Sequence, residues 1–432
     1  MNITVFGERY HDLELAPEQR GEGGCGWVRR LRHLFAIHGA HAKDVVDVVD
    51  ATEPGNTAHN LRERWTDDVL LPKPDVVLVT VGMSDAWGHQ SKSNQYAKDP
   101  AGVIAILEDL FARAKTRTPQ TRILLVEPVL NSIDASPLRT GPVAEALTAY
   151  AVALRDLAGK HGLTIIPAGE LVRAAKRARN DDEWLGTDPT GLDICGSMLV
   201  ADAAYRAIAG KPAAPATVLE NGQTLLLIGD SITDAGRRGT YSAMGVGYAR
   251  VFQGIQAARE PQKVVKMINK GIGGDTILDI ESRWERDVTP HNPDWLLLYT
   301  GINDMNTIYG SRAKKVLPDV YRDGLRRCLA RVKTTSPAVR CMLLAPYLLT
   351  RDDHPESYRC EMVRRMPDYA RAAESVAKEF GARFVDLQSA LAPFVDRLGN
   401  RALGCNLGTD ICHPGELGCL AIAELVYGAF KK

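Results

Sequence analysis

The stretch Leu225-Leu226-Leu227-Ile228-Gly229-Asp230-Ser231-Ile232-Thr233-Asp234 decides the fold of this chain. Four consecutive large apolar residues without a charge predict a strand buried on both faces, as inside a parallel sheet. The run stops at Gly229-Asp230-Ser231. It therefore delivers a hydroxyl to the carboxyl end of the strand, where open α/β sheets place their ligands. The same residues also read as an ordinary strand-to-loop turn, since Asp and Ser are common there. The rest of the chain has to choose between the two.

Moving outward, the first half alternates strands with helices. Strands are expected at Ile3–Phe6, Val45–Val49, Asp75–Val81, Ile123–Val126 and Thr164–Pro167. Helices are expected at Gly26–Ile37, Asn60–Val69, Ala144–Lys160 and Met198–Ala209, with Arg29, Arg30 and Arg32 forming a solvated face. Such alternation implies right-handed crossovers onto a parallel sheet. The second half repeats the first at a nearly constant spacing. Gly82-x-x-Asp85 recurs as Gly301-x-x-Asp304, Arg64-Trp65-x-x-Asp68-Val69 as Arg283-Trp284-x-x-Asp287-Val288, and Gly55-Asn56-Thr57 as Gly274-Asp275-Thr276, each 219 residues on. Gly7-Glu8 recurs as Gly229-Asp230 and Thr187-Asp188 as Thr409-Asp410, each 222 residues on. The chain is a tandem duplication. The seam is Gly210-Lys211-Pro212-Ala213-Ala214-Pro215-Ala216, short and Pro-rich, as a semi-rigid linker should be. One domain is placed at residues 1–211 and the other at 219–432.

The 432 residues, 45% of them hydrophobic and 25% charged, have the composition of globular domains. Lys+Arg and Asp+Glu balance at 53 each, which argues against nucleic acid or an anionic membrane surface as partner. The N-terminal residues enter a strand without a basic or apolar leader pattern, so the cytoplasm is the expected location. Of eight cysteines, all but Cys25 lie in or beside apolar segments and read as small core residues. Cys405, Cys412 and Cys419 recur every seventh residue, wider than the close pairs of zinc sites, so no metal is expected. No organic cofactor is implied either. A homo-oligomer is left open.

Four polar blocks of the second half each follow a strand or lead into a helix: Gly229-Asp230-Ser231; Asn269-Lys270-Gly271-Ile272-Gly273-Gly274-Asp275-Thr276; Gly301-Ile302-Asn303-Asp304; and Asp410-Ile411-Cys412-His413-Pro414. Ester hydrolysis needs a nucleophile, a base, an orienter for the base and donors for an oxyanion. Ser231 is the candidate nucleophile and His413 the base, with Asp410 one turn earlier able to hold the imidazole tautomer. Gly274 offers a backbone N–H that no side chain obstructs, and Asn303 an amide. In order and in context, the four blocks resemble those of the SGNH (GDSL-type) esterase superfamily over essentially all of the second half. The resemblance implies two flavodoxin-like, three-layer α/β/α domains. It also implies an oxyanion hole made of Ser231, Gly274 and Asn303. The subgroup it resembles most contains carbohydrate acetylesterases, which implies O-acetyl removal from a sugar. Lysophospholipase, thioesterase or arylesterase activity is the alternative, as is glycan binding through the first half.

Blander roles compete at several positions. Asp230 and Asp304 read as turn-formers, His413 alone as a surface histidine, and Cys412 as a packing residue. Arg237, Arg238, Tyr241, Arg351 and His354 either line the pocket or belong to solvated loops. The first half has lost the equipment: Arg9 stands in the slot of Ser231, Ser84 in that of Asn303 and Gly191 in that of His413. Only Gly55 and Asp188 remain. An arginine, always protonated, cannot attack a carbonyl, so this half is expected to be a pseudo-esterase.

Overall fold

The computed structural model describes residues 1–9, 11–12, 26–39, 46–129, 142–179, 191–211, 215–239, 242–348, 358–404 and 412–431. The chain divides into two compact units, Met1–Ala214 with Ala257–Pro261, and Pro215–Gln256 with Gln262–Lys432. The boundary at 214/215 falls inside the Pro-rich stretch.

The first unit holds the parallel strands β1 (Asn2–Glu8), β3 (Asp47–Glu53), β4 (Val76–Thr80), β5 (Arg122–Val126) and β6 (Thr164–Ile166), in the order β3-β1-β4-β5-β6. A minor parallel pair joins β2 (His11–Asp12) to β7 (Gly191–Leu192). The second unit holds β8 (Thr224–Gly229), β9 (Lys266–Asn269), β10 (Trp295–Tyr299), β11 (Arg340–Ala345) and β12 (Arg383–Asp386), in the order β9-β8-β10-β11-β12. Both are the 2-1-3-4-5 order of flavodoxin-like sheets, flanked by helices. The central strands are apolar on both faces: β4 and β10 are buried throughout, and β8 from Leu225 onward.

The register repeats as well as the order. Gly7 pairs with Thr80, and Gly229 with Tyr299, at the carboxyl ends of β1 and β8. A Cβ on Gly7 would lie 2.1 Å from the Thr80 carbonyl oxygen, and one on Gly229 2.3 Å from that of Tyr299. Only glycine lets the chain turn there while the neighbouring strand stays in place.

Side-chain contacts repeat too. Arg64 donates to Asn56 Oδ1 at 2.8 Å and to the Ala51 carbonyl at 2.9 Å, and pairs with Asp68 at 2.7 Å. Arg283 donates to Asp275 Oδ2 at 2.7 Å and to the Lys270 carbonyl at 2.8 Å, and pairs with Asp287 at 3.0 Å. Every partner sits 219 residues from its twin. Thr57 and Asn60 form a capping box, and so do Thr276 and Asp279. Asp85 accepts the Ala58 N–H at 2.9 Å as Asp304 accepts the Ile277 N–H at 2.8 Å.

Several expectations need correction. Arg30 is only 3% exposed, and Arg32 donates to the Val48 carbonyl, so the first helix does not present a solvated arginine face. Strand β3 is an edge strand, and a guanidinium can satisfy a carbonyl that no neighbouring strand reaches. That strand runs Asp47–Glu53 rather than 45–49, because it follows β1 residue for residue from Asn2 to Glu8. The helix expected from Asn60 begins at Ala58 behind its Thr57 cap, and after Trp65 it widens into a π turn at Thr66–Leu70. Cys195, Cys328, Cys341 and Cys419 are buried, but Cys360 and Cys412 are half-exposed. Cys412 adjoins His413 in the segment before the last helix, and Cys360 sits in the first turn of the helix Tyr358–Phe380. Among the described residues no helix is long and apolar enough to cross a membrane.

Candidate active site

Strand β8 ends at Gly229, and the chain turns at once into a single helical turn, Ser231–Asp234. Asp230 caps that turn, its Oδ1 accepting the Ile232 N–H at 3.0 Å. The carboxyl is fully buried and its Oδ2 has no partner among the described residues. Burial, reinforced by Asp304 and Asp275, pushes Asp230 up to about 8. Burial likewise raises Asp304 to about 7; beyond its contact with Ile277 it accepts the Thr300 hydroxyl at 3.1 Å. Asp230 forms its local turn, as the sequence predicts, whereas Asp304, read the same way, reaches the Ile277 N–H across 27 residues and a side-chain hydroxyl instead.

The segment before the last helix, Glu416–Ala429, carries His413. An antiparallel bridge between Gly404 and Pro414, and the Gly415 N–H on the Leu403 carbonyl at 2.9 Å, hold this segment in place. His413 Nε2 lies 2.7 Å from Ser231 Oγ, across 182 residues of chain. On the other side of the ring Cys412 Sγ lies 3.6 Å from Nδ1. Asp410 lies outside the described residues, as do Tyr241, Arg351, His354 and Asp188.

The third component is the glycine turn after β9. Asn269 anchors its base, donating to the carbonyls of Thr233 at 2.6 Å and Met244 at 2.9 Å and accepting the Gly271 N–H at 2.8 Å. Gly274 has φ +85°, a left-handed conformation that glycine adopts without strain. A Cβ built on Gly273 would sit 3.7 Å from Ser231 Cβ, so the turn lies directly against the serine. Neither the Ser231 N–H nor the Gly274 N–H meets an acceptor among the described residues. Asn303 leads the helix Ile302–Tyr309, and its Nδ2 donates to the Asp275 carbonyl at 3.2 Å, which places the amide beside the same turn.

Arg237 and Arg238, read as pocket-lining or solvated, instead brace this edge. Arg237 Nε donates to the Gly271 carbonyl at 2.7 Å. Arg238 pairs with Asp234 at 2.8 Å, and the same Asp234 oxygen accepts the Gly273 N–H at 3.0 Å. Two further braces escaped the sequence reading. Arg283 was visible as a repeated landmark, but its contacts with Asp275 and the Gly229 carbonyl were not. Arg312 carried no signal at all.

The equivalent edge of the first unit is closed from within. The Glu8 carboxylate, 3% exposed, accepts the Met83 N–H at 2.9 Å and the Ser84 hydroxyl. The Arg9 side chain turns to Thr52, bonding its hydroxyl at 3.2 Å and its carbonyl at 2.6 Å. Burial pushes Glu8 up to about 8. The folded protein thus holds this proton to higher pH than the unfolded chain does. The stability contributed is complete below the ordinary carboxyl range and is lost as pH rises through about 8. Glu8→Gln is therefore expected to flatten the fall in melting temperature between about pH 5 and pH 9. Equal falls in the two proteins would show that Glu8 is not the group responsible.

A serine hydroxyl on an imidazole at the carboxyl edge of an open parallel sheet, with N–H donors alongside that meet no acceptor among the described residues, can support nucleophilic acyl chemistry. Comparison with known proteins narrows the class. The model of the GDSL-like Lipase/Acylhydrolase family matches twice, over residues 10–191 and 227–419. An acetylxylan esterase of Geobacillus stearothermophilus is 34% identical over 213 residues, 47% of this chain and 92% of that protein. Among solved structures, a variant of Axe2, an acetyl xylan esterase from the same organism, is 32% identical, covering 50% of this chain and 98% of its own, with a TM-score of 0.44. LAE5, an alpha/beta hydrolase from the metagenome of Lake Arreo, Spain, is 29% identical over 50% of this chain and 98% of its own, also at 0.44. The chain belongs to the GDSL-like lipase/acylhydrolase family, with one copy in each half, and is a carboxylic ester hydrolase.

Proposed function

We propose that the second unit, residues 219–432, hydrolyses O-acetyl esters of a carbohydrate and that the first, residues 1–211, is catalytically silent. The 2.7 Å contact between Ser231 Oγ and His413 Nε2 carries this reading. His413 takes the Ser231 proton as Oγ attacks the acyl carbon. The carbonyl π pair moves onto oxygen, and the N–H groups of Ser231 and Gly274 with the Asn303 amide receive the charge. When the tetrahedral adduct collapses, the sugar oxygen leaves with the proton from His413 and the acyl group stays on Ser231. Water, deprotonated by His413, then releases acetate and restores the serine. Asp410 is assigned, from the family resemblance, to hold the Nδ1–H tautomer of His413 and to stabilise the imidazolium.

The carbohydrate acetyl substrate is supported by the 34% identity to an acetylxylan esterase, spanning nearly all of that protein. Silence of the first unit is supported by Arg9 in the nucleophile slot and by Glu8, which consumes the Met83 and Ser84 donors. The first unit serves as a scaffold. We place the protein in the cytoplasm, where the buried thiols of Cys195, Cys328, Cys341 and Cys419 stay reduced.

The test is chain length and leaving group together. Turnover on p-nitrophenyl acetate is expected to exceed that on long-chain p-nitrophenyl esters, and acetylated xylo-oligosaccharides are expected to release acetate. A preference for long acyl chains, or no acetate from the saccharides, would remove the acetylesterase reading and leave a lipase- or thioesterase-type hydrolase.

A further inference from the structure

The first unit is an internal control for the second. Contacts present in both copies maintain the fold, whereas those found only beside Ser231 and His413 are candidates for serving the reaction. The Arg64 and Arg283 clamps, the capping boxes and the Asp85 and Asp304 caps belong to the first kind. Arg312 belongs to the second. Its Nη2 donates to the Gly274 carbonyl at 2.8 Å and its Nη1 pairs with Asp279 Oδ2 at 2.9 Å. Asp279 Oδ2 in turn accepts the Thr276 N–H at 2.9 Å and the Thr276 hydroxyl at 2.7 Å. One planar guanidinium therefore joins the Gly274 turn to the helix that follows it. It reaches both from the segment after Asn303's helix, so it also ties the two elements that carry the amide and the glycine N–H. In the first unit the equivalent position is Ser93 or its neighbour Asn94, and Asp279 is replaced by Asn60. Gly55 keeps the left-handed φ of +76°, and among the described residues none donates to its carbonyl.

We infer that Arg312 is a positioning residue for the oxyanion-binding turn of the second unit. This rests on the reading of Gly274 as an oxyanion donor. Gly274, lacking a side chain, restrains its neighbouring peptides little, and its N–H meets no acceptor among the described residues. By fixing the Gly274 carbonyl at one end and Asp279 at the other, Arg312 holds the turn in a single orientation. A donor set in advance stabilises developing charge without reorganising during the reaction. Arg312 itself, about half exposed, touches no reacting atom.

The test uses the full chain with p-nitrophenyl acetate and a boronic acid that forms a tetrahedral adduct on serine. R312A is expected to lower kcat about 10- to 100-fold, below the full loss of an oxyanion donor, with KM nearly unchanged. Affinity for the boronic acid should fall by a similar factor, with melting temperature little affected. R312K, able to satisfy one acceptor but not both, should recover part of the loss, and it remains informative if R312A folds poorly. Unchanged kcat in both variants would overturn the inference. So would a KM rise with boronic acid affinity intact, since that would make Arg312 a substrate contact. Ser231→Ala, assayed alongside, separates the two levels: full activity in that variant would sink the reading of the site itself, whatever R312A does.

Discussion

Ser231→Ala is expected to lower kcat for p-nitrophenyl acetate by about 10⁴-fold or more, with melting temperature nearly unchanged. The hydroxyl is the group proposed to form the acyl bond; the Cys412 thiol lies 3.6 Å from the opposite nitrogen of His413. His413→Ala should cost a similar factor. The double variant should be little worse than either single one, because nucleophile and base act as a unit. Residual turnover would come from the backbone donors, which both substitutions leave in place. Ser84→Ala in the first unit should leave turnover unchanged, since that hydroxyl is spent on Glu8. Steady-state kinetics with an acyl-enzyme burst check all four variants. A Ser231→Ala protein that keeps a tenth of wild-type turnover would exclude the serine mechanism.

Arg283→Ala should be the most damaging single change to the fold and site together. The Arg283 side chain is 7% exposed, and its two carboxylate partners, Asp275 and Asp287, are 13% and 10% exposed. Burial works against ionising Asp287, but hydrogen bonds from Arg286 and Arg283 prevail and bring it down to about 2. Asp275, more weakly compensated, is raised by its burial despite the same guanidinium. Removing the arginine strips Asp275 of its paired guanidinium and leaves Asp287 with Arg286 alone, a loss approaching that of a broken buried pair, about 3–5 kcal/mol. It also frees the Gly229 and Lys270 carbonyls on either side of the site, so kcat should fall along with stability. Arg64→Ala makes the matched comparison. The Arg64 and Asp68 side chains are 29% and 28% exposed, so the cost in stability should be smaller, and turnover should be untouched. Denaturant unfolding and kinetics on both variants read the two effects separately. Equal losses of turnover would show that the first unit does more than support the second.

Much of this was legible in the residues. Four apolar residues ending in Gly-Asp-Ser can only be a strand that closes on a tight turn, because burial on two faces and the need for a Cβ-free position are local properties. The repeat was legible for a similar reason: duplicated glycines, prolines and caps keep their spacing when the fold they punctuate is kept. The candidate site was legible in part: three of the four blocks follow β8, β9 and β10, where a parallel sheet puts its strand ends, whereas the described part of the fourth precedes the last helix.

Tertiary structure decided the rest. The pairing of Ser231 with His413 spans 182 residues, and no local pattern states a distance of that kind. Arg32 looked like a surface charge because helical periodicity cannot tell water from the edge of a sheet. In the repeat Glu8 stands in the slot of Asp230. Only the packed fold shows its longer side chain reaching the Met83 and Ser84 donors and closing the first cleft. Arg312 had no motif, because its value lies in joining two turns that meet only after the sheet forms. Local chemistry therefore specified the strands, the turns and the duplication, while contacts between distant segments brought Ser231 to His413 in the second unit and Ser84 to Glu8 in the first.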